Sequence, residues 1–203
     1  KNFITLAEAR NNRVKIDWDK AQIRKPSFLG VKNLINYPLE EIRQYIDWTP
    51  FFQTWMLAGR YPGILTDPVV GTEAQKLFDD AQKMLDQIVN ARSLQANGVI
   101  AFFPAVAKGD DVLLSRKEGE PPFATFHFLR QQNKKAQGLP NFCLSDFIAP
   151  EETGKQDYFG MFAVTAGIGI EKLLDKFKAN KDDYSDIMVK AIADRLAEAF
   201  AEC

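Results

Sequence analysis

Apolar residues recur at helical spacing most clearly in one stretch, where Ala74, Leu77, Phe78, Ala81, Met84, Leu85 and Ile88 share a side of a 3.6-residue turn. Thr72 and Gln75 stand three residues apart ahead of that run, the spacing of a capping box, so the pattern predicts a helix over residues 72–92. A second stripe of Met188, Val189, Ile192, Leu196 and Phe200 predicts a closing helix from about Asp183. Two shorter helices precede these. Pro38 opens one, followed by Leu39, Ile42, Tyr45 and Ile46. Thr49 caps the other, with Pro50 at its first position, then Phe51, Phe52, Trp55 and Met56, and an end near Gly59. Gly167 and Gly169 lack the third glycine of a phosphate loop and predict a turn into a helix over Glu171–Phe177.

Strand patterns fall between the helices. Gly98–Ala105 and Val112–Ser115 flank Lys108-Gly109-Asp110 and predict a hairpin, and Phe123–Leu129 and Tyr158–Thr165 add two more strands. Links this short favour an antiparallel sheet over a βαβ array. Residues before about 37 carry isolated apolar positions (Phe3, Ile16, Trp18, Phe28, Leu29) without a sustained period, which predicts an extended arm with at most a short initial helix. The expected class is α+β, a single domain over residues 1–203 with an antiparallel sheet and flanking helices.

Composition narrows the function. A chain of 203 residues holds one sizeable core and is short for two. The net charge of −1, with both signs interspersed, argues against nucleic-acid and membrane partners. The apolar runs are too short to span a bilayer. With His127 as the sole histidine and Cys143 and Cys203 as the only cysteines, a zinc site of the usual nitrogen and sulfur ligands cannot be assembled. Reduced thiols and a cytoplasmic setting are expected. The chain starts without Met and stops at Cys203 inside a running helical pattern, so a fragment truncated at its C-terminus is expected.

Candidate chemistry is sparse. Asp194 and Glu198 project one turn apart, opposite the apolar stripe of the last helix. A solvated face is the simplest reading, and replacing both should then cost little stability. Ile187 and Ala191 share that side, however, and two like charges repel unless a cation satisfies them, so a docking or ligand-facing surface stays open. Asp47, beside Trp48 and between two aromatic-rich helices, is either a capping carboxylate or an acceptor for a cationic ligand in an aromatic-walled cleft. His127 on its strand is a structural histidine, Lys108-Gly109-Asp110-Asp111 a turn, and Arg130–Lys135 a solvated segment. No nucleophile with its base is present, so no catalytic residue is expected. Any chemistry then belongs to a bound cofactor.

Several stretches carry a family resemblance, in order along nearly the whole chain. They are Tyr45-Ile-Asp-Trp-Thr-Pro-Phe-Phe, the run from Trp55 through Leu-Ala-Gly-Arg-Tyr-Pro, and Val69-Val-Gly-Thr-Glu-Ala-Gln. Leu129-Arg-Gln-Gln, Cys143-Leu-Ser-Asp-Phe-Ile-Ala-Pro and the long Ile187-Met-Val-Lys-Ala-Ile-Ala-Asp-Arg-Leu-Ala-Glu-Ala-Phe-Ala-Glu follow. The chain resembles the activation, or reactivation, domain of cobalamin-dependent methionine synthase. The resemblance implies a bent antiparallel sheet within a helmet-shaped α+β domain that binds S-adenosylmethionine. It implies a role in reductive methylation of cob(II)alamin to methylcobalamin, within the methyltransferase that moves a methyl group from 5-methyltetrahydrofolate to homocysteine. Cobalamin would be bound by a neighbouring domain and zinc only by another module of the parent enzyme. The implied partners are the cobalamin-binding domain of the same enzyme and flavodoxin or a flavodoxin-like reductase.

By resemblance, Asp47 and Glu198 match positions that contact S-adenosylmethionine, and Asp194 matches one at the interface with the cobalamin domain. The family's Arg-Pro-x-x-Gly-Tyr segment lies beyond Cys203. The expected layout is thus an arm over about 1–37, the activation domain to residue 203, and a missing C-terminal part, with the isolated fragment inactive. The alternative is a non-catalytic interaction module that caps a corrinoid domain or docks flavodoxin without binding S-adenosylmethionine.

Overall fold

The computed structural model describes residues 2–203, and among these the strands are five and the α-helices six. In chain order they are α1 (Leu6–Asn11), β1 (Gly30–Leu34), α2 (Leu39–Ile42), α3 (Thr49–Thr54), α4 (Gly71–Ala91), β2 (Gln95–Lys108), β3 (Asp111–Ser115), β4 (Pro122–His127), β5 (Asp157–Ile168), α5 (Glu171–Ala179) and α6 (Asp183–Glu202). The sheet runs β1-β2-β3-β4, with β5 also paired to β2. Lys108 opposite Asp111 closes an antiparallel β2–β3 hairpin, and β3–β4 is antiparallel as well. The α+β class with an antiparallel sheet is therefore what the sequence pattern implied. Strand β1 was not foreseen: its burial pattern is open in the middle, with Val31, Lys32 and Asn33 exposed, so it leaves no alternation to detect.

The chain divides into two compact units. The first comprises residues 1–32 and 100–161. Its core holds Ala105, Val112 and Leu114, with Phe103, Phe128, Ile148 and Phe159 packed around them. The arm is fastened to this unit by hydrogen bonds. Ile4 N donates to the Gln132 carbonyl at 2.9 Å, Arg10 Nε lies 2.8 Å from Asp110 Oδ2, and Asn12 Nδ2 donates to Asn141 Oδ1 at 2.7 Å.

Arg130 corrects one expectation. It does not belong to a solvated segment: its side chain is only 1% exposed and is locked between two carboxylates. Nη2 and Nη1 meet the two oxygens of Asp146 at 2.6 and 2.8 Å, Nε donates to Asp110 Oδ1 at 2.8 Å, and Nη1 donates to the Asn141 carbonyl at 2.8 Å. The hydrogen bond to Asp146 raises the Arg130 pKa against the opposing effect of burial. Burial pushes the Asp110 carboxyl up, but hydrogen bonds from Arg10 and Arg130 outweigh it and hold the group below its ordinary value. The segment Lys108-Gly109-Asp110-Asp111 is thus a turn that also supplies a structural anion.

The second unit comprises residues 33–99 and 162–203. Its core gathers Ile42, Phe51, Phe52, Leu77, Leu85, Met188, Ile192 and Leu196, all nearly inaccessible. Helix α4 starts within a residue of the expected position, but the Thr72–Gln75 capping box does not form. Asp67 instead accepts from Val69 N at 2.8 Å and Val70 N at 3.0 Å and so holds the turn that leads into the helix, whose N-cap residue Val70 makes no side-chain cap hydrogen bond. Thr49 is likewise the first residue of α3 and not its cap, since Asp47 Oδ1 accepts from Thr49 N at 2.9 Å.

Candidate functional site

All three carboxylates named by resemblance lie in the second unit, and α6 organises them. The helix begins at Asp182, whose carboxylate accepts from Ser185 N at 3.0 Å. That backbone hydrogen bond is the leading cause of its lowered pKa. The stripe Met188, Val189, Ile192, Leu196 and Phe200 is buried as expected, but burial extends further, to Ala191, Ala193, Arg195 and Ala199. The reason is the number of neighbours. Helices α2, α3, α4 and α5 and the turn at Arg43–Tyr45 all pack on α6, leaving only a narrow strip of it in water.

Asp194 and Glu198 occupy that strip, with side chains 69% and 66% exposed. Asp47 sits in the short link between the Arg43–Tyr45 turn and α3, two elements that both rest on the helix carrying the other two carboxylates. Asp47 is exposed. Its Oδ1 is engaged by Thr49 N, the turn-forming role, and its Oδ2 accepts no hydrogen bond among the described residues.

Trp48 does not line a cleft beside Asp47. It is buried and packs edge-to-face on Phe51 and Phe78, with ring centroids 5.2 and 5.0 Å away. The accessible aromatics near this link are Tyr45, just before it, and Tyr61, whose amide donates to Thr49 Oγ1 at 3.3 Å while its ring lies 5.4 Å from that of Phe78.

Sequence reasoning missed Arg195. Its guanidinium, 9% exposed, bridges both helix carboxylates: Nη2 donates to Asp194 Oδ2 at 2.7 Å and to Glu198 Oε1 at 2.9 Å, and Nη1 donates to Glu198 Oε2 at 3.0 Å. Burial lowers the Arg195 pKa, but the bonds to Asp194 and Glu198 outweigh it and leave the pKa raised. This cation is what relieves the like-charge repulsion. It also changes the expected cost of replacing both carboxylates, which would strand a largely buried guanidinium. An arginine flanked by acids at i−1 and i+3 within a helical run was the available signal.

The carboxylates stand on open surface, apart from two hollows elsewhere. One, of about 530 Å³, lies in the first unit between Arg13, Lys15 and Trp18 of the arm and Ser145, Pro150 and Glu152. The other, of about 290 Å³, lies in the second unit along Asn97–Val99 and Ala163–Thr165. His127 is exposed, with Nδ1 2.9 Å from Asp111 Oδ1. Cys143 is buried, Cys203 is exposed, and they are not bonded to each other. Among the described residues no helix is long and apolar enough to cross a membrane.

Comparison with known proteins places this architecture. The family model described as "Vitamin B12 dependent methionine synthase, activation domain" matches residues 38–203. A solved structure described as "Crystal Structure of the MetH Reactivation Domain bound to AdoHcy" is similar over 100% of this chain, with 49% sequence identity and a TM-score of 0.95. This chain spans 62% of the length of that one. The family match covers most of the chain and both the Asp47 link and the α6 strip. The chain belongs to the activation-domain family of vitamin B12-dependent methionine synthase.

Proposed function

We propose that this chain binds S-adenosylmethionine through Asp47 and Glu198 and serves the reactivation of a cobalamin-dependent methionine synthase. The observation that carries the reading is the likeness, over the whole of this chain, to a reactivation domain described as bound to AdoHcy. The donor set fits the ligand in charge. S-adenosylmethionine carries an ammonium and a sulfonium, and Asp47 and Glu198 offer exposed carboxylates on neighbouring elements of one unit. One carboxylate about 4 Å from either cation contributes roughly 4 kcal/mol of gross attraction at an effective dielectric near 20, before solvent takes its share.

When bound, S-adenosylmethionine supplies an electrophilic methyl group for the reductive methylation of cob(II)alamin held by a neighbouring domain, the electron coming from flavodoxin or a flavodoxin-like reductase. This chain's own residues bind and orient. Thr49 N fixes one oxygen of Asp47 and leaves the other for a donor on the ligand. Arg195 fixes the plane of Glu198. Asp194, on the same exposed strip, meets the cobalamin domain. In this reading the domain has no methionine synthase turnover of its own, and it works in the cytoplasm as one module of the larger enzyme.

Calorimetry of S-adenosylmethionine binding to the full-length protein tests the assignment. Asp47→Asn and Glu198→Gln each weaken affinity roughly tenfold, the equivalent of about 1.4 kcal/mol for a lost charged hydrogen bond. Unchanged affinity in both folded variants returns Asp47 to turn-making and Glu198 to a solvated face.

A further inference from the structure

A single nitrogen on Arg195 serves two carboxylates that the reading above assigns to two different tasks. Nη2 donates at 2.7 Å to Asp194 Oδ2 and at 2.9 Å to Glu198 Oε1. The two contacts are not alike. Arg195 and Glu198 are separated by three residues and face each other naturally on a helix, and their contact is bidentate, with Nη1 on Oε2 at 3.0 Å. Asp194 and Arg195 are adjacent in sequence and point about 100° apart around the helix, so their contact holds only because both side chains lean together. The guanidinium is therefore drawn in two directions. It is also largely shielded from water that could replace either partner.

We infer that Arg195 is a positioning residue that couples ligand binding at Glu198 to docking at Asp194, and that the coupling is negative. This inference rests on the proposed roles of Glu198 and Asp194. A donor on the docking partner that engages Asp194 draws its carboxylate away from Nη2. Arg195 then pairs with Glu198 alone, neutralises it more completely and leaves less charge for the ligand's ammonium or sulfonium. By linkage, a cationic ligand that engages Glu198 frees Arg195 towards Asp194 and weakens docking by the same factor. The hold on the ligand thus loosens as the domain settles onto its partner. As a guanidinium, Arg195 keeps its charge throughout the working pH range, whichever carboxylate it serves.

A double-mutant cycle on the full-length protein, read as the S-adenosylmethionine dissociation constant by calorimetry, tests this. Asp194→Asn removes the charge that draws Nη2 towards residue 194 and raises the dissociation constant threefold to tenfold in the Arg195 background. In an Arg195→Gln background the same substitution changes it less than 1.5-fold. An equal effect in both backgrounds means that Asp194 acts through space on the ligand's charge, and it overturns the inference. So does the absence of any Asp194→Asn effect when Arg195 is present. If Arg195→Gln does not fold, Arg195→Met serves: it keeps the apolar stem and has no donor to share, so the Asp194→Asn effect falls by at least half, and an undiminished effect overturns the inference. Glu198→Gln run alongside separates the two levels. Wild-type affinity there sinks the reading of Glu198 as a ligand contact, and the coupling with it, whereas weakened affinity without coupling sinks only the role of Arg195.

Discussion

Replacing Arg130 with Met is the most severe test of how the first unit is held. The substitution keeps much of the apolar stem and removes the cation between Asp146, 3% exposed, and Asp110, 10% exposed. Asp110 retains Arg10, whose Nε lies 2.8 Å away but whose side chain is half exposed. Among the described residues Asp146 retains only Cys143 N at 3.1 Å. Removing one partner from a buried charge pair typically costs about 3–5 kcal/mol, because the other charge stays buried and uncompensated. At about 2–4 °C per kcal/mol for a chain of this size, Tm falls by roughly 6–20 °C.

Urea denaturation at pH 7 and pH 5 gives the diagnostic. In the wild type, the pKa of Asp110 is lowered on folding, so its stabilising contribution is present above the ordinary value of 3.8 and is lost as pH falls through the lower folded value. The wild type therefore loses nothing from Asp110 between pH 7 and 5. In Arg130→Met a proton taken up by the stranded carboxylates relieves the buried charge, so the deficit shrinks over that interval. A deficit below about 1 kcal/mol at pH 7, or one that grows towards pH 5, refutes the argument that the network is held by buried charge.

Two further substitutions probe the second unit. Asp182→Ala removes the N-cap of α6 and lowers stability by about 1 kcal/mol in thermal or urea unfolding, while Asp182→Asn retains most of it. Gly71→Ala at the first turn of α4 replaces a poor helix former with the best one, a gain of up to about 1 kcal/mol in open helices. Here the added Cβ meets the Leu65 carbonyl oxygen at 2.9 Å, a backbone atom that cannot swing away, so denaturation shows a net loss of about 1–3 kcal/mol; a gain would mean that the Gly63–Thr66 turn yields.

What the sequence disclosed follows from the range of the interactions involved. Helices α4 and α6 and the β2–β3 hairpin rest on local periodicity and turn chemistry, so their patterns sit in contiguous residues. The sequence pattern puts the caps of α3 and α4 at Thr49 and Thr72, but neither side chain caps its helix, and the aspartates slightly upstream, Asp47 and Asp67, hold the turns that lead in. Local windows hold several hydroxyl and carboxylate candidates and cannot rank them without the backbone path. Arg130 was illegible because its partners lie 20 and 16 residues away in a turn and a 3-10 segment, where no period relates them. The sequence left the side of Trp48 open because an aromatic beside an exposed acid reads the same whether its ring turns inward or outward. The carboxylates of the candidate site came from motif resemblance, which transfers positions but not their neighbours, and Arg195 was overlooked for that reason.

The division of each unit into two stretches of chain has a consequence for biosynthesis. The arm's contacts close very long loops: Asn12 meets Asn141 across 129 residues, and Gln132 meets Ile4 across 128. At ribosomal rates of about 5–20 residues per second, the arm waits roughly 6–26 seconds for its partners to be made. The second unit begins at residue 33 but lacks α6, the helix around which its others pack, until residues 183–202 are added. Throughout that interval Phe51, Phe52, Leu77 and Leu85 have no α6 to cover them. The nascent chain therefore exposes these apolar faces until α6 is made, and a chaperone that shields α3 and α4 over that interval should raise the yield of folded protein.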